Sequence, residues 1–150
     1  MTIWVDADGC PNSVREVVLR ASKRTGMPTV FVANRPLPEP KAPNASAVHV
    51  PQGADVADYY IAENLDPADL VVTQDIPLAA EVVEKGAMAL SPRGEEYTPE
   101  SVREKLSMRD FMEQMRGAGL AGGGPSAESG RDKQAFANAL DRWLARNADQ

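Results

Sequence analysis

The reading of this chain turns on nine residues, Ile3-Trp4-Val5-Asp6-Ala7-Asp8-Gly9-Cys10-Pro11. Thr2 to Asp6 is short, apolar and rich in Ile and Val, as a buried strand is. It stops on two acids one residue apart, Asp6 and Asp8. Pro11 then suits the first turn of a helix. Val14, Val17, Val18 and Ala21 follow at helical spacing until Gly26 stops the helix. A buried strand running straight into an amphipathic helix sets the α/β pattern that the rest of the chain repeats.

Working outward, Met27 to Ala33 is a second strand. Asn34 to Asn44 holds four prolines and reads as an extended surface loop. Ser46 to Val50 is a third strand, in which alternation turns His49 outward or to an edge. Ala54 to Leu65 is helical, Asp69 to Thr73 is a fourth strand, and Ile76 to Lys85 is a helix ended by Gly86. Ala87 to Leu90 is a fifth strand, followed by Ser-Pro-Arg-Gly. The order β-α-β-β-α-β-α-β predicts a single α/β domain in three layers over residues 1–150, with a mostly parallel five-stranded sheet.

The last third is helical. Thr98-Pro99 starts one helix, and Ser107-Met-Arg-Asp110 reads as a second start, close to a capping box. Residues 117–130 are rich in Gly, Ser and Ala and are expected to be mobile. Residues 131–147 form a C-terminal docking helix. Its stripe of Phe136, Ala139, Leu140, Trp143 and Leu144 belongs on the core.

Composition narrows the function. The chain has 150 residues, 43% hydrophobic and 25% charged, enough for one core. No apolar run approaches the roughly 20 residues of a membrane span. The start has no basic n-region and meets acids at positions 6 and 8, so a cytoplasmic protein is the default expectation. Cys10 is the only cysteine, which excludes an internal disulfide and a cysteine zinc cluster. A net charge of −6 argues against broad electrostatic capture of nucleic acid. The acid excess sits before Ser91, with 12 acidic and 7 basic residues up to Leu90.

Those acids follow strands. Asp6 and Asp8 come after the first, Asp55 and Asp58 after the third, Asp75 after the fourth. Asp55 and Asp58 share a helix face at i and i+3. In an open α/β sheet, ligands bind outside the carboxyl ends of the strands. Carboxylates within about 4–6 Å raise each other's pKa, and a divalent cation removes the conflict. All-oxygen ligation without Cys or His suits Mg²⁺ or Mn²⁺. Such an ion activates water for phosphodiester cleavage without a nucleophilic side chain. Three of the acids also have a plain structural use: Asp8 in an Asp-Gly turn, Asp55 at a helix N-terminus, Asp75 as the cap of a helix at Ile76. Asp58 sits deeper in its helix amid Val56, Ala57 and Ile61, where an idle acid is less expected. Asp6 is the hardest to account for that way, because it ends a buried strand directly.

The segments VDADGCPNSVREVV, GADVADYYI, DLVVTQDIPLA, KGAMALSPRGEEYT, MRDFMEQMR and DKQAFANALDRWL together resemble the YaiI/YqxD family of uncharacterised bacterial proteins, nearly end to end. That family is similar to PIN-like domains, a group rich in metal-dependent ribonucleases with acidic sites. The resemblance implies a PIN-like fold in which Asp6 is the first-strand metal aspartate and Asp75 the aspartate of the "TxD" motif. Asp58 is the chosen helix acid, with Asp8 and Asp55 in support. The catalytic set expected is therefore Asp6, Asp58 and Asp75. Thr73, Gln74, Arg93, Arg109 and Arg116 are expected to meet a phosphate, and Arg131 and Lys133, after the glycine-rich stretch, are further candidates to close over the substrate. RNA or another phosphate-bearing substrate is the expected partner. No membrane is expected, and a homo-oligomer remains open.

Two rivals stand beside this reading. Asp-Ala-Asp-Gly after a strand also resembles the first motif of haloacid-dehalogenase-like phosphatases, with Asp6 as nucleophile, Asp8 as acid/base, Thr73 as the second motif and Lys85 as the third. The acidic pair of the fourth motif is missing. The other rival is a non-catalytic nucleic-acid-binding protein.

Overall fold

Strand β1, Ile3–Asp6, lies inside a six-stranded sheet ordered β3-β2-β1-β4-β5-β6. The other strands are β2 (Thr29–Ala33), β3 (Ala45–His49), β4 (Leu70–Val72), β5 (Met88–Leu90) and β6 (Glu96–Tyr97). The computed structural model describes residues 1–53, 56–117 and 130–147, the side chains of 109–117 excepted. β1 to β5 are parallel, with Val5 opposite Phe31 on one side and Val72 on the other. Only β6 runs antiparallel, against β5. The chain winds from β1 outward through β2 to β3, then passes back over β1 to β4. The winding direction therefore reverses between β1 and β4, and ligands of open α/β sheets bind at such a switch point, outside the carboxyl ends of the strands.

Helices α1 (Asn12–Thr25) and α5 (Gly130–Asn147) pack together on one face. Ile3, Val5, Phe31, Leu70 and Val72 share a core there with Val14, Val18, Phe136 and Leu140. The alternate strand residues Trp4, Val32, Val71 and Ala89 point to the other face. There they meet Ile61 of α2 (Val56–Asn64), Leu78 and Val82 of α3 (Ile76–Glu84) and Val102 of α4 (Pro99–Gly117). This is the expected three-layer α/β architecture, and both sheet faces are covered, as a parallel sheet requires. Phe136, Ala139, Leu140, Trp143 and Leu144 are all buried, so α5 docks through the expected stripe. Each of its large side chains contributes about 1.5–3 kcal/mol by leaving water.

The structure departs from the sequence reading in three places. A sixth strand exists. β6 has two residues, too few to show a period, and it is made by the turn Ser91-Pro-Arg-Gly94, with Gly94 at φ 89°. Ser107-Met-Arg-Asp110 is no helix start, because α4 runs unbroken through it. A serine caps only where the preceding backbone leaves the helix, and no Gly or Pro interrupts residues 100–116. Pro11 sits at the N-cap rather than inside the first turn, and its carbonyl accepts Val14 N and Arg15 N, both at 3.1 Å.

The proline-rich residues 34–44 alone connect the parallel pair β2 and β3. His49 is exposed at the end of edge strand β3, and Cys10 is a buried thiol in no disulfide. The expected mobile stretch 117–130 falls, between Gly117 and Gly130, outside the described residues. No helix among the described residues is long and apolar enough to cross a membrane.

Candidate acidic site at the sheet edge

Asp6 ends β1 and Thr73-Gln74-Asp75 follows β4, so both segments arrive at the sheet edge where the winding reverses. Asp6 is only 8% exposed, and its Oδ2 accepts the Thr73 hydroxyl at 2.9 Å. The same hydroxyl oxygen accepts the backbone N–H of Asp75 at 2.9 Å. Thr73 N donates to the Leu90 carbonyl at 3.1 Å, and the Thr73 carbonyl accepts the Tyr97 hydroxyl at 3.3 Å. Thr73 is thus bonded to β1, β5 and β6 at once, and its rotamer is fixed.

The electrostatics single out Asp6. Burial is the main reason its carboxyl lies above the usual 3.8; the Thr73 hydrogen bond pulls it down, and the charges of Asp75 and Asp8 push it up. Among the described residues no cation pairs with it. The Tyr97 phenol is pushed up to about 12, chiefly by burial and then by the Glu95 charge, so it stays a hydrogen-bond donor at neutral pH. Arg93 and Asp75 both act on Tyr97, which puts the Arg93 turn at this edge. Arg93 itself is exposed.

The remaining acids are engaged in different ways. Asp75 caps α3: its Oδ1 accepts Leu78 N at 2.9 Å. Asp8 holds the start of the proline-rich loop, accepting Asn34 N at 2.8 Å on Oδ2 and lying 3.4 Å from Arg35 Nε through Oδ1. Asp58 is half-buried in the first turn of α2 and is not among the charges acting on Asp6. Gln74 is exposed and bonds the Gly9 carbonyl, pinning the turn Ala7–Gly9 to the end of β4. Asp55 and the side chains of Arg109 and Arg116 lie outside the described residues. Lys133 lines a separate groove between α1 and α5 with Arg20 and Arg24.

The structure therefore brings together Asp6, Thr73 and Asp75, with Asp8 and Arg93 near them. Among the described residues no three His, Cys, Asp or Glu side chains form a group able to enclose a metal ion. The set does fit Mg²⁺, which keeps several waters and is commonly held by one or two carboxylates. A buried carboxylate whose nearest charges are negative is the donor such an ion needs.

Sequence reasoning missed the bracing role of Tyr97, since a tyrosine in a two-residue strand carries no period. It also missed Asp69, buried at 3% exposure, which accepts Trp4 Nε1 at 2.9 Å, Thr2 N at 2.8 Å and Asp66 N at 2.9 Å. Asp69 locks the opposite, amino-terminal ends of β1 and β4. An acid directly before an apolar strand was its one visible signal.

Residues 4–146 match the family described as uncharacterised, YaiI/YqxD. A UPF0178 protein of Shewanella sp. (strain ANA-3) is 57% identical over 144 residues, covering 96% of each chain. A UPF0178 protein of Yersinia pestis (strain Pestoides F) is 54% identical over 150 residues, covering 100% of this chain and 99% of the relative. No solved structure matches the chain. On the extent of these matches, the chain belongs to the YaiI/YqxD family.

Proposed function

We propose that this protein is a divalent-metal-dependent phosphodiester hydrolase acting on RNA, with its site at the sheet edge where β1 and β4 end. The observation that carries the reading is Asp6: a buried carboxylate, uncompensated among the described residues, aligned by Thr73 and crowded by Asp75. A PIN-like resemblance and an acidic sheet edge support the same chemistry. Asp6 and Asp75 would hold Mg²⁺ or Mn²⁺. When bound, the ion would supply an activated water and offset charge on the leaving oxygen.

The chain's own residues do the positioning. Thr73 fixes the Asp6 carboxylate, and Tyr97 fixes Thr73. Asp75 keeps Oδ1 on its helix cap, and its other oxygen would serve the ion. Arg93, exposed on its turn, is free to meet a substrate phosphate through its forked guanidinium. Asp8 supports the site from the loop it anchors, whereas Asp58 on α2 is not among the charges acting on Asp6, and the reading does not rest on it.

The placement of Lys85, the third motif of the phosphatase reading, gives that alternative less support. Lys85 follows α3 and donates to the Ala62 carbonyl near the end of α2. At about 1.5 Å rise per residue, α3 carries it about 15 Å from Asp75.

The test is incubation of purified protein with labelled single-stranded RNA and Mn²⁺ or Mg²⁺. Metal-dependent cutting that Asp6→Asn abolishes, while the fold is retained, is the expected result. RNA binding without turnover under any divalent ion would favour the non-catalytic alternative.

A further inference from the structure

The groove between α1 and α5 holds about 450 Å³. The small side chains of Ala21 and Ala137 line it between the helices, and Arg20, Arg24 and Lys133 line it against a single acid, Asp141. In a chain of net charge −6, the local balance is reversed here. Arg20 and Arg24 are one helical turn apart on α1, so they share a face at a spacing of about 6 Å. Arg20 is exposed and Lys133 half-buried. Among the described residues only Arg24 of the three cations is in an ion pair, 2.8 Å from Asp141, and both partners are more than half exposed. Pairs exposed to that degree are weak, so Arg24 is available to a competing anion.

The turn Ser91–Gly94 links this groove to the acidic edge. Arg93 on that turn acts on Tyr97 together with Asp75. Gly94 on the same turn lies against the backbone of Ala135 and Phe136 in α5, leaving no room for a Cβ. Lys133 stands two residues before that contact. Cations are therefore spaced from Arg93 at the edge, through Lys133, to Arg20 and Arg24. An edge built of carboxylates repels a polyanion, so a strand brought to it must be held by positive charge elsewhere. Packed helices lie about 8–10 Å apart, a width that suits one strand and not a duplex.

We propose that the α1–α5 groove carries the phosphate backbone of single-stranded RNA away from the acidic edge, with Arg20, Arg24 and Lys133 each meeting a phosphate. The choice of RNA rests on the hydrolase reading. Contacts of this kind fix the register of the strand and read no base.

The test is fluorescence anisotropy of labelled oligouridylate with the full chain, in chelator so that no metal contributes, between about 50 and 200 mM salt. Each phosphate contact to a single strand adds about 0.7 to the slope of log K against log salt. Arg20→Gln combined with Lys133→Gln should flatten the slope by about 1.4 and weaken binding several-fold at the lower salt. Glutamine is a good helix former, and circular dichroism verifies that the fold is kept. Oligoadenylate should show the same flattening. Lys41→Gln, on the proline-rich loop outside the groove, should leave the slope unchanged. A wild-type slope near zero, an unchanged slope in the double variant, or the same change per charge in Lys41→Gln would overturn the track. RNA cleavage decides the hydrolase reading separately. Metal-dependent cutting with an unchanged slope removes the track alone, and a flattened slope with no cutting under any divalent ion removes the hydrolase alone.

Discussion

Thr73 Oγ1 lies 2.9 Å from Asp6 Oδ2, joining residues 67 apart in the chain across the β1–β4 switch point. The hydroxyl gives its proton to Asp6 and takes the Asp75 N–H on its oxygen. One small side chain therefore sets the position of both acids.

Thr73→Val keeps the shape and removes both bonds. Asp6 loses the one interaction holding its pKa down, so its carboxyl should titrate still higher. The buried acceptor and the Asp75 N–H lose their partner, at about 1–3 kcal/mol. Carboxyl ¹³C titration of Asp6 and urea unfolding of wild type and variant read the two effects. An Asp6 titration that does not move upward would deny Thr73 this role.

Asp6→Asn should stabilise the protein near neutral pH while removing metal binding. The folded pKa of Asp6 is raised, so its contribution to stability is full below the unfolded pKa and is lost as pH rises through the folded one. At neutral pH the buried charge is a cost that asparagine avoids. A gain of about 1 kcal/mol corresponds to a Tm rise of about 2–4 °C for a chain of this size. The gap between variant and wild type should shrink as the pH is lowered through the folded pKa. Scanning calorimetry at several pH values checks it, and a variant less stable at neutral pH would contradict it.

Mn²⁺ should raise the Tm of the wild type in a concentration-dependent way, by mass action on the folded state. Neither Asp6→Asn nor Asp75→Asn should respond equally. Differential scanning fluorimetry with and without a chelator measures this, and an identical Mn²⁺ response in all three proteins would remove the metal from Asp6 and Asp75.

Asp69→Ala should be among the more damaging changes away from the acidic edge. It leaves Trp4 Nε1 and the N–H groups of Thr2 and Asp66 without their acceptor. A loss of about 2–4 kcal/mol is expected, with no direct effect on Asp6. The urea midpoint at unchanged m-value is the readout.

Gly94→Ala tests the seat of α5. A Cβ there would lie 2.5 Å from the Ala135 backbone carbon, on a residue already at φ +89°. Gly26 also has positive φ, +75°, but a Cβ there meets nothing within 4 Å. Gly26→Ala should therefore cost only about 1 kcal/mol, the left-handed backbone penalty alone. Gly94→Ala should cost clearly more and expose α5 to limited proteolysis. Equal losses would mean that the turn does not touch the helix so closely.

The sequence by itself determined the architecture and its acids. Short apolar strands alternating with helices allow little but an α/β sheet, and the stripe from Phe136 to Leu144 has only a core to cover. Helical and strand periods are local, so they are legible in the chain. It also delivered Asp6 and Asp75 to strand ends, and strand ends in a parallel sheet share one edge. Tertiary structure alone decided which of those acids meet. Strand order put β1 beside β4, so Asp6 faces Thr73 and Asp75, while Asp8 was drawn to Asn34 and Arg35 and Asp58 lies in the first turn of α2. It also decided that Tyr97 braces Thr73 and that Asp69 locks the far end. None of these has a period. Each depends on which distant segments pack together, and that is fixed by the burial of the whole core rather than by any stretch of sequence.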